Sequence, residues 1–413
     1  MKITGRKLDG LMFAFVVVDL MFLPYLRVLS SSASMVVLPF WFVFRGHVIR
    51  NDRDFRLCVL AIFVAILSFL VSFLKFPDGF LMRSGSRGSA VSMVPNTVIL
   101  CYMFLYYMFF KSVISRYSFS VDRFLYFYLG FVLVLALLFY LDPAFYFEVR
   151  SFWTMFDNVI EVGEFENAMY RFTSTLSEPN NIAALVVSIY SYLVIYKDKV
   201  YSCSVALTVL LMLVVFATMS SSGMALMVLA VFVFVLKDSV FQNGVSMRRM
   251  TIKILSSIFF ACVAILAFAY FQSTEVGEIA SSRVSENSMD SRYRIWFNSI
   301  DPSKLMGSLI FGDGGLVVLN GKVVNPHNGH LHLIYSYGFL LYLVFIYIYF
   351  VAPVRINVRY FFVVPLLACF TINVGIYELR FAGLMALILA AARVEKINSL
   401  KTSKRNSGVL SLV

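Results

Sequence analysis

Apolar runs of about 20 residues, each long enough to cross the hydrocarbon of a bilayer as a helix, follow one another along most of this 413-residue chain. Sixty percent of its residues are hydrophobic and 14% are charged, a balance that no soluble domain of this size shows. Inside a bilayer every backbone N–H and C=O must be paired within the protein, so only helices and closed barrels span it. The runs have helix length, which implies an all-α polytopic membrane protein made of one integral membrane domain, 1–413. The candidate spans are roughly 8–29, 33–44, 57–76, 91–110, 124–141, 181–196, 203–219, 223–236, 254–271, 331–351, 360–377 and 381–393, about twelve in all. The second, eighth and twelfth are short, and either lengthen into their flanks or are tilted or re-entrant. No internal repeat and no low-complexity segment interrupts the pattern.

Charge orients the spans. Of the 35 Lys and Arg residues, 23 fall on the side of the first residue and 11 on the opposite side, with Arg27 inside the first run. The acidic residues run the other way, 7 against 15, with Asp19 inside the first run. Short basic loops on one side mark it as cytoplasmic, so both termini are expected in the cytoplasm. Two long loops, 142–180 and 272–330, then fall outside. The net charge of +12 does not suggest nucleic acid, because the cations are dispersed in loops between apolar runs. Lys2, Arg6 and Lys7 before an apolar run resemble a signal peptide, but the second run follows closely, so an uncleaved first helix is expected. Cys58, Cys101, Cys203, Cys262 and Cys369 are scattered in or beside apolar runs and read as small apolar side chains.

The loop 272–330 is where chemistry is expected. A long loop without regular structure is usually functional or disordered. This one holds Arg283, Arg292 and Arg294 and ends in Asn325-Pro326-His327-Asn328-Gly329-His330, with His332 just beyond. Histidine moves protons near neutral pH, and guanidinium offers a planar fork of donors for phosphate oxygens. The outer arginines are Arg83, Arg87, Arg150, Arg171, Arg283, Arg292, Arg294 and Arg380; the plainer account is that they snorkel to headgroups or pair with acidic loop residues. Arg171 and the Arg292/Arg294 pair have the more telling neighbours. Arg171 opens Arg171-Phe172-Thr173-Ser174-Thr175-Leu176-Ser177-Glu178-Pro179-Asn180-Asn181, where Ser177 or Asn180 can cap the next helix and Pro179 suits its first turn. Arg292 and Arg294, two apart beside Tyr293 and Trp296, share a face only in extended chain. His327, His330 and His332 lack the spacing of helical zinc sites, so no metal is assigned, and His330 and His332 read as structural residues at a helix top. Thr218-Met219-Ser220-Ser221-Ser222-Gly223 is a tight outward hinge whose hydroxyls share a level with Arg171 and His327.

These segments together resemble the O-antigen polymerase and O-antigen ligase superfamily of bacterial inner-membrane glycosyltransferases. The Arg-Phe-x-Ser…Glu-Pro-Asn stretch at 171–180 is similar to the family's first arginine motif. Ser220–Gly223 is similar to its serine-rich turn, although Ser221 or Ser222 stands where the family often has an arginine. Pro326-His327-Asn328 before a helix containing Gly338 resembles its His-Asn…Gly signature, and Arg292 with Trp296 its Arg-x-x-x-Trp element. The Glu-Pro-Asn form leans towards polymerases.

The resemblance implies a GT-C-like helical fold in the inner membrane, active at the periplasmic face, and repeat units carried on undecaprenyl diphosphate as substrate. It implies His327 as general base, with Glu178 as a second base or an orienter. Arg171, Arg292 and Arg294 would bind the diphosphate, with Asn180, Asn328, Ser220 and Ser222 in support. It implies no cofactor, and arginines in place of a divalent metal. The partners it implies are membrane lipid, a chain-length regulator and a flippase. The competing readings are the ligase that moves the same glycan to lipid A core, and a transporter of lipid-linked oligosaccharide with no chemistry. A transporter would carry ionisable residues deep in several spans and often an inverted repeat, whereas here the mid-span charges are Asp19 and Arg27 in the first run.

The charge asymmetry makes a direct prediction: an alkaline phosphatase fused near residue 300 should be active, and one fused near residue 245 inactive. Reversed activities would reject the orientation.

Overall fold

The structure, a computed structural model, describes residues 5–24, 32–49, 51–75, 93–117, 119–154, 172–176, 179–197, 201–218, 220–241, 251, 306–313, 318–319, 322–323, 328–353, 363–372 and 378–410. It is a helical bundle. The helices are α1 (Gly5–Phe22), α2 (Ala33–Arg45), α3 (Arg53–Lys75), α4 (Met93–Tyr117), α5 (Val121–Leu141), α6 (Pro143–Thr154), α7 (Pro179–Tyr190), α8 (Tyr201–Ala217), α9 (Ser221–Phe241), α10 (Gly329–Tyr337), α11 (Phe339–Ile346), α12 (Val363–Ile372) and α13 (Leu379–Leu410). One π-helical turn continues α7 through Ser191–Tyr196 and another continues α11 through Tyr347–Val351. A small hairpin pairs β1 (Val318–Leu319) with β2 (Lys322–Val323).

Among the described residues, four helices are long and apolar enough to cross a membrane: Arg53–Leu74, Val94–Tyr117, Val121–Leu141 and Pro179–Tyr196. Shorter apolar helices cover Ala33–Val48, Leu207–Ala217, Gly223–Phe234 and Phe339–Val351. The helices divide into outer and inner ones. Phe40, Val43 and Phe44 of α2, Phe63 and Leu74 of α3, Phe127 and Val134 of α5, and Val228 and Phe232 of α9 point outwards. An apolar outer surface of this extent suits lipid and not water. In contrast, every residue of 181–196 and of 378–392 is buried.

α13 is the central post, and its most extensive partner is α4. Its small residues allow close approach, as in other membrane helix packings. A Cβ on Gly383 would lie 2.7 Å from Leu20 of α1.

Ionic contacts gather at one end of the bundle. Asp9 of α1 accepts from Arg45 Nη2 at 2.6 Å, Arg45 Nε and Trp41 Nε1 at 3.0 Å, and Tyr117 Oη at 2.7 Å. Asp54 of α3 accepts from Lys111 Nζ of α4 at 2.6 Å and from Arg393 Nε of α13 at 2.8 Å. Lys197, at the end of the π turn, meets Glu395 and Asp122. Arg45, Lys111, Lys197 and Arg393 are all residues that the charge count places on the side of the first residue.

Three sequence expectations change in detail. The stretch 142–180 begins with α6, where Asp142 Oδ1 caps the helix by accepting from Phe145 N at 3.0 Å and Pro143 takes its first position, where a missing N–H costs nothing. Trp153 Nε1 then donates to the Phe22 carbonyl at 2.8 Å and pins α6 to the end of α1. The expected span 381–393 is the buried part of a helix that runs to Leu410. The expected span 331–351 is two helices, because Gly338 breaks it with φ 92°. The segment 306–313 docks at that break: Phe339 N donates to Ser308 O at 2.9 Å, Leu340 N to Leu309 O at 3.2 Å, and Asp313 N to Tyr335 O at 2.7 Å. The run 254–271, most of the loop 272–330, and residues 155–171 and 177–178 of the loop 142–180 lie outside the described residues.

The docking leaves no room for side chains. A Cβ on Gly312 would lie 2.2 Å from the Tyr335 carbonyl oxygen, and one on Gly338 2.3 Å from that of Ile310. Gly312→Ala and Gly338→Ala should each destabilise the purified protein by about 1–3 kcal/mol, the usual range for overpacking. Gly130→Ala, at a position with nothing within 4 Å, should be neutral or slightly stabilising. Thermal unfolding in detergent compares the three, and equal midpoints would refute the backbone contact.

Candidate functional site

The sequence 172–176 places three residues with hydroxyls, Thr173, Ser174 and Thr175, where the chain leaves an apolar phenylalanine and enters the approach to α7. The structure buries this whole segment at the end of the bundle opposite the ionic cluster. Buried backbone needs partners, and four elements provide them. Phe172 N donates to the Ala217 carbonyl of α8 at 3.1 Å. Tyr146 Oη of α6 accepts from Thr173 N at 3.2 Å and Ser174 N at 3.1 Å. Tyr128 Oη of α5 lies 3.1 Å from Thr175 Oγ1. Arg380 Nη1 of α13 donates to the Thr175 carbonyl at 2.9 Å.

Leu176 N closes the turn onto Thr173 O at 3.1 Å. Ser174 sits inside it at φ 53°, the left-handed region that costs a residue with a Cβ roughly 1–2 kcal/mol. Such strain persists where the surroundings over-determine the backbone, and it clusters at functional sites. Among the described residues, Thr173 Oγ1 and Ser174 Oγ are buried and have no hydrogen-bond partner.

The head of α7 is fixed just as firmly. Asn181 Nδ2 donates to Glu378 Oε2 beside α13. Asn180 Oδ1 accepts from Ser220 Oγ at 2.7 Å. Ser220 also caps α9, accepting from Gly223 N at 3.0 Å, which is the standard bond from an N-cap to the third helical N–H. The close approach of α9 to α7 depends on Gly223, whose Cβ would lie 2.6 Å from Ala183 Cβ.

Of the residues chosen from sequence, Asn180 and Ser220 therefore meet, at the head of α7. Asn180 is the second residue of that helix and so is not its N-cap; its side-chain oxygen accepts from Ser220. Ser222 lies in the first turn of α9. Asn328 is the N-cap of α10, accepting from His330 N at 3.0 Å and Leu331 N at 3.1 Å. His330 is engaged at both nitrogens. Its Nε2 donates to the Leu367 carbonyl of α12 at 3.1 Å, so the imidazole carries its proton there, and Nδ1 takes the Tyr342 hydroxyl at 3.4 Å. Burial pushes its pKa below the ordinary value, against the opposing pull of the Leu367 carbonyl. His332 Nδ1 lies 2.9 Å from Ser336 Oγ, one helical turn on. Both histidines are thus held within the fold. Arg171, Glu178, Arg292, Arg294 and His327 lie outside the described residues.

Three groups passed over in the sequence belong to this site. Arg380 stands among the outer arginines without distinction, Glu378 is two residues before it, and Tyr146 lies within a supposed loop. A signal did exist: Glu-x-Arg at the mouth of an apolar helix is costly to bury unless each charge has a partner. α12 joins the two halves of the site, since it receives His330 at Leu367 while Cys369 Sγ donates to Ala184 O of α7 at 3.5 Å. No family model matches the chain, and neither the curated proteins nor the solved structures give a match.

The left-handed turn predicts a substitution pattern. Ser174→Gly should leave thermal stability in detergent within about 1 kcal/mol, because relief of strain offsets the added freedom of the unfolded chain. Ser174→Val should lose more, because a β-branched residue is a genuine outlier at positive φ. Equal effects of the two substitutions would show that the backbone conformation is not what the position demands.

Proposed function

We propose that this chain is a polysaccharide polymerase of the bacterial inner membrane. It joins repeat units carried on undecaprenyl diphosphate, at the periplasmic face, with both termini in the cytoplasm. The observation that carries the reading is the over-determined, hydroxyl-bearing turn 172–176 with the head of α7, at the end of the bundle remote from the basic cluster. It lies in the same stretch as the Arg…Glu-Pro-Asn motif on which the family resemblance rests. About twelve spans and a GT-C-like arrangement belong to the same proposal.

The reaction sets the demands on the residues. The bond from the anomeric carbon of the growing chain to its diphosphate oxygen breaks, and a bond from that carbon to a hydroxyl of the incoming unit forms. The diphosphate leaves with the electron pair, and the hydroxyl proton must go to a base. Preorganised cations stabilise the leaving charge, the role given to Arg171, Arg292 and Arg294. Neutral His327 takes the proton, with Glu178 as an orienter or second base. Asn328 follows His327 directly and holds the start of α10 in place, and Asn180 with Ser220 fixes the helix that follows Glu178. Charge stabilisation by arginine needs no divalent ion. A chain-length regulator and a flippase are the natural partners of such an enzyme.

Lysine keeps the charge of arginine and loses the planar fork. Arg171→Lys and Arg292→Lys should each slow polymerisation by roughly ten- to a hundredfold, the equivalent of one charge-assisted hydrogen bond. Arg116→Lys, at the exposed basic end, should be silent. The readout is the lipopolysaccharide ladder of a deletion strain complemented with each variant. The deletion alone should leave one repeat unit on the core. A core with no repeat unit would instead point to a ligase or a flippase.

A further inference from the structure

We infer that Glu378 and Arg380, at the head of α13, are positioning residues that clamp the turn 172–176 and the first turn of α7 into fixed register. The two side chains are two residues apart and reach two different points of one segment. Arg380, fully buried, holds the Thr175 carbonyl at 2.9 Å. Glu378, 9% exposed, holds Asn181. In sequence, Ser177 and Glu178 stand between the two held points, so the clamp brackets the candidate acid–base group of the proposed reaction.

Nothing in helix stability requires this pair. α13 is already anchored at its other end by the Arg393–Asp54 ion pair and along its length by apolar packing against α4. The turn also has Tyr128, Tyr146 and the Ala217 carbonyl as partners besides Arg380. Placing a guanidinium and a carboxylate at the buried mouth of an apolar helix is expensive, and an apolar pair would pack there more cheaply. What the charged pair adds is direction. A guanidinium N–H fixes the orientation of one carbonyl, and a carboxylate fixes one amide. Together they determine where two otherwise independent pieces of chain sit relative to each other, as positioning a reacting group within a fraction of an ångström requires.

The consequence for activity rests on the polymerase reading, but the clamp itself can be tested without it. Thr173→Cys places a thiol in the turn at a site 4% exposed. In membranes this thiol should react slowly with a membrane-impermeant maleimide. Adding Arg380→Met should speed labelling by roughly ten- to a hundredfold, as expected when a charge-assisted bond that opposes local opening is lost. Arg380→Lys should restore much of the protection, and Glu378→Ala should mimic Arg380→Met. Should Arg380→Met fail to accumulate, Glu378→Ala and Glu378→Gln give the same comparison, with Gln expected to protect. Without the added cysteine, Arg380→Met should cut the polysaccharide ladder by a similar factor at unchanged membrane abundance, with Arg380→Lys rescuing it.

Labelling that does not change with Arg380→Met or Glu378→Ala overturns the clamp. Faster labelling with an undiminished ladder, in a strain where Glu178→Gln abolishes the ladder, overturns the positioning role. Faster labelling when Glu178→Gln is also without effect leaves the clamp standing and rejects the polymerase reading instead.

Discussion

Asp54 is the contact on which the rest of the bundle is registered. It is 1% exposed and accepts from Lys111 of α4 and Arg393 of α13. Arg393 Nη1 and Lys396 Nζ also donate to the Ala352 carbonyl after the second π turn, at 2.8 and 3.1 Å. A buried carboxylate with no cation would be ruinous, and breaking such a pair costs several kcal/mol although its net contribution is small. Its value is specificity. The network fixes the axial position of α13 against α3 and α4, which apolar ridges alone would allow to slide. A helix is stiff and rises about 1.5 Å per residue, so Arg380 is carried to a point about 20 Å from Arg393. The ionic end therefore determines which carbonyl Arg380 meets.

The composition of α13 makes this possible. From 378 to 392 it is buried on all sides, and Ala382, Gly383, Ala386 and Ala390 keep it thin enough to stand among α1, α4 and α7. Large apolar side chains there would push the neighbours apart and separate Arg380 from Thr175. Apart from Phe381, which packs on Phe370 at 6.1 Å, the aromatic pairs lie around this helix: Tyr349 packs on Phe345 at 4.9 Å, and Phe109 on Trp41 at 4.8 Å. Close-packed small residues at the axis and aromatic filling around it are complementary solutions to one volume constraint.

At the end opposite the ionic cluster the physical problem is reversed. Polar groups must be held still without water to solvate them. The turn 172–176 is met by hydroxyls, a guanidinium and a carbonyl drawn from α5, α6, α8 and α13, and the strain at Ser174 is supported by those contacts. Low dielectric strengthens each of these bonds and makes an unpaired group costly. Contacts from four different elements converge on this one turn.

Much of this was legible from residue order. Run length and loop charge set the helical class, the outward-facing apolar helices, and the grouping of Arg45, Lys111, Lys197 and Arg393 at one end. The Arg171–Asn181 motif and the serine hinge pointed to the region where Asn180 and Ser220 meet. Less visible was α6, because Asp142-Pro143 reads equally as a turn, and its apolar face is too short for a span. The break at Gly338 was hidden because a lone glycine inside an apolar run is tolerated in a membrane helix; its φ of 92° follows from the backbone of 306–313 docked against it. Local pattern alone determined that this chain is an all-helical bundle with helices long and apolar enough to cross a membrane, since hydropathy acts on each segment independently. Tertiary structure alone decided that Arg380, Glu378 and Tyr146 converge on residues 172–181, because contacts between positions some 30 to 200 residues apart depend on how rigid helices cross, and no local pattern encodes that.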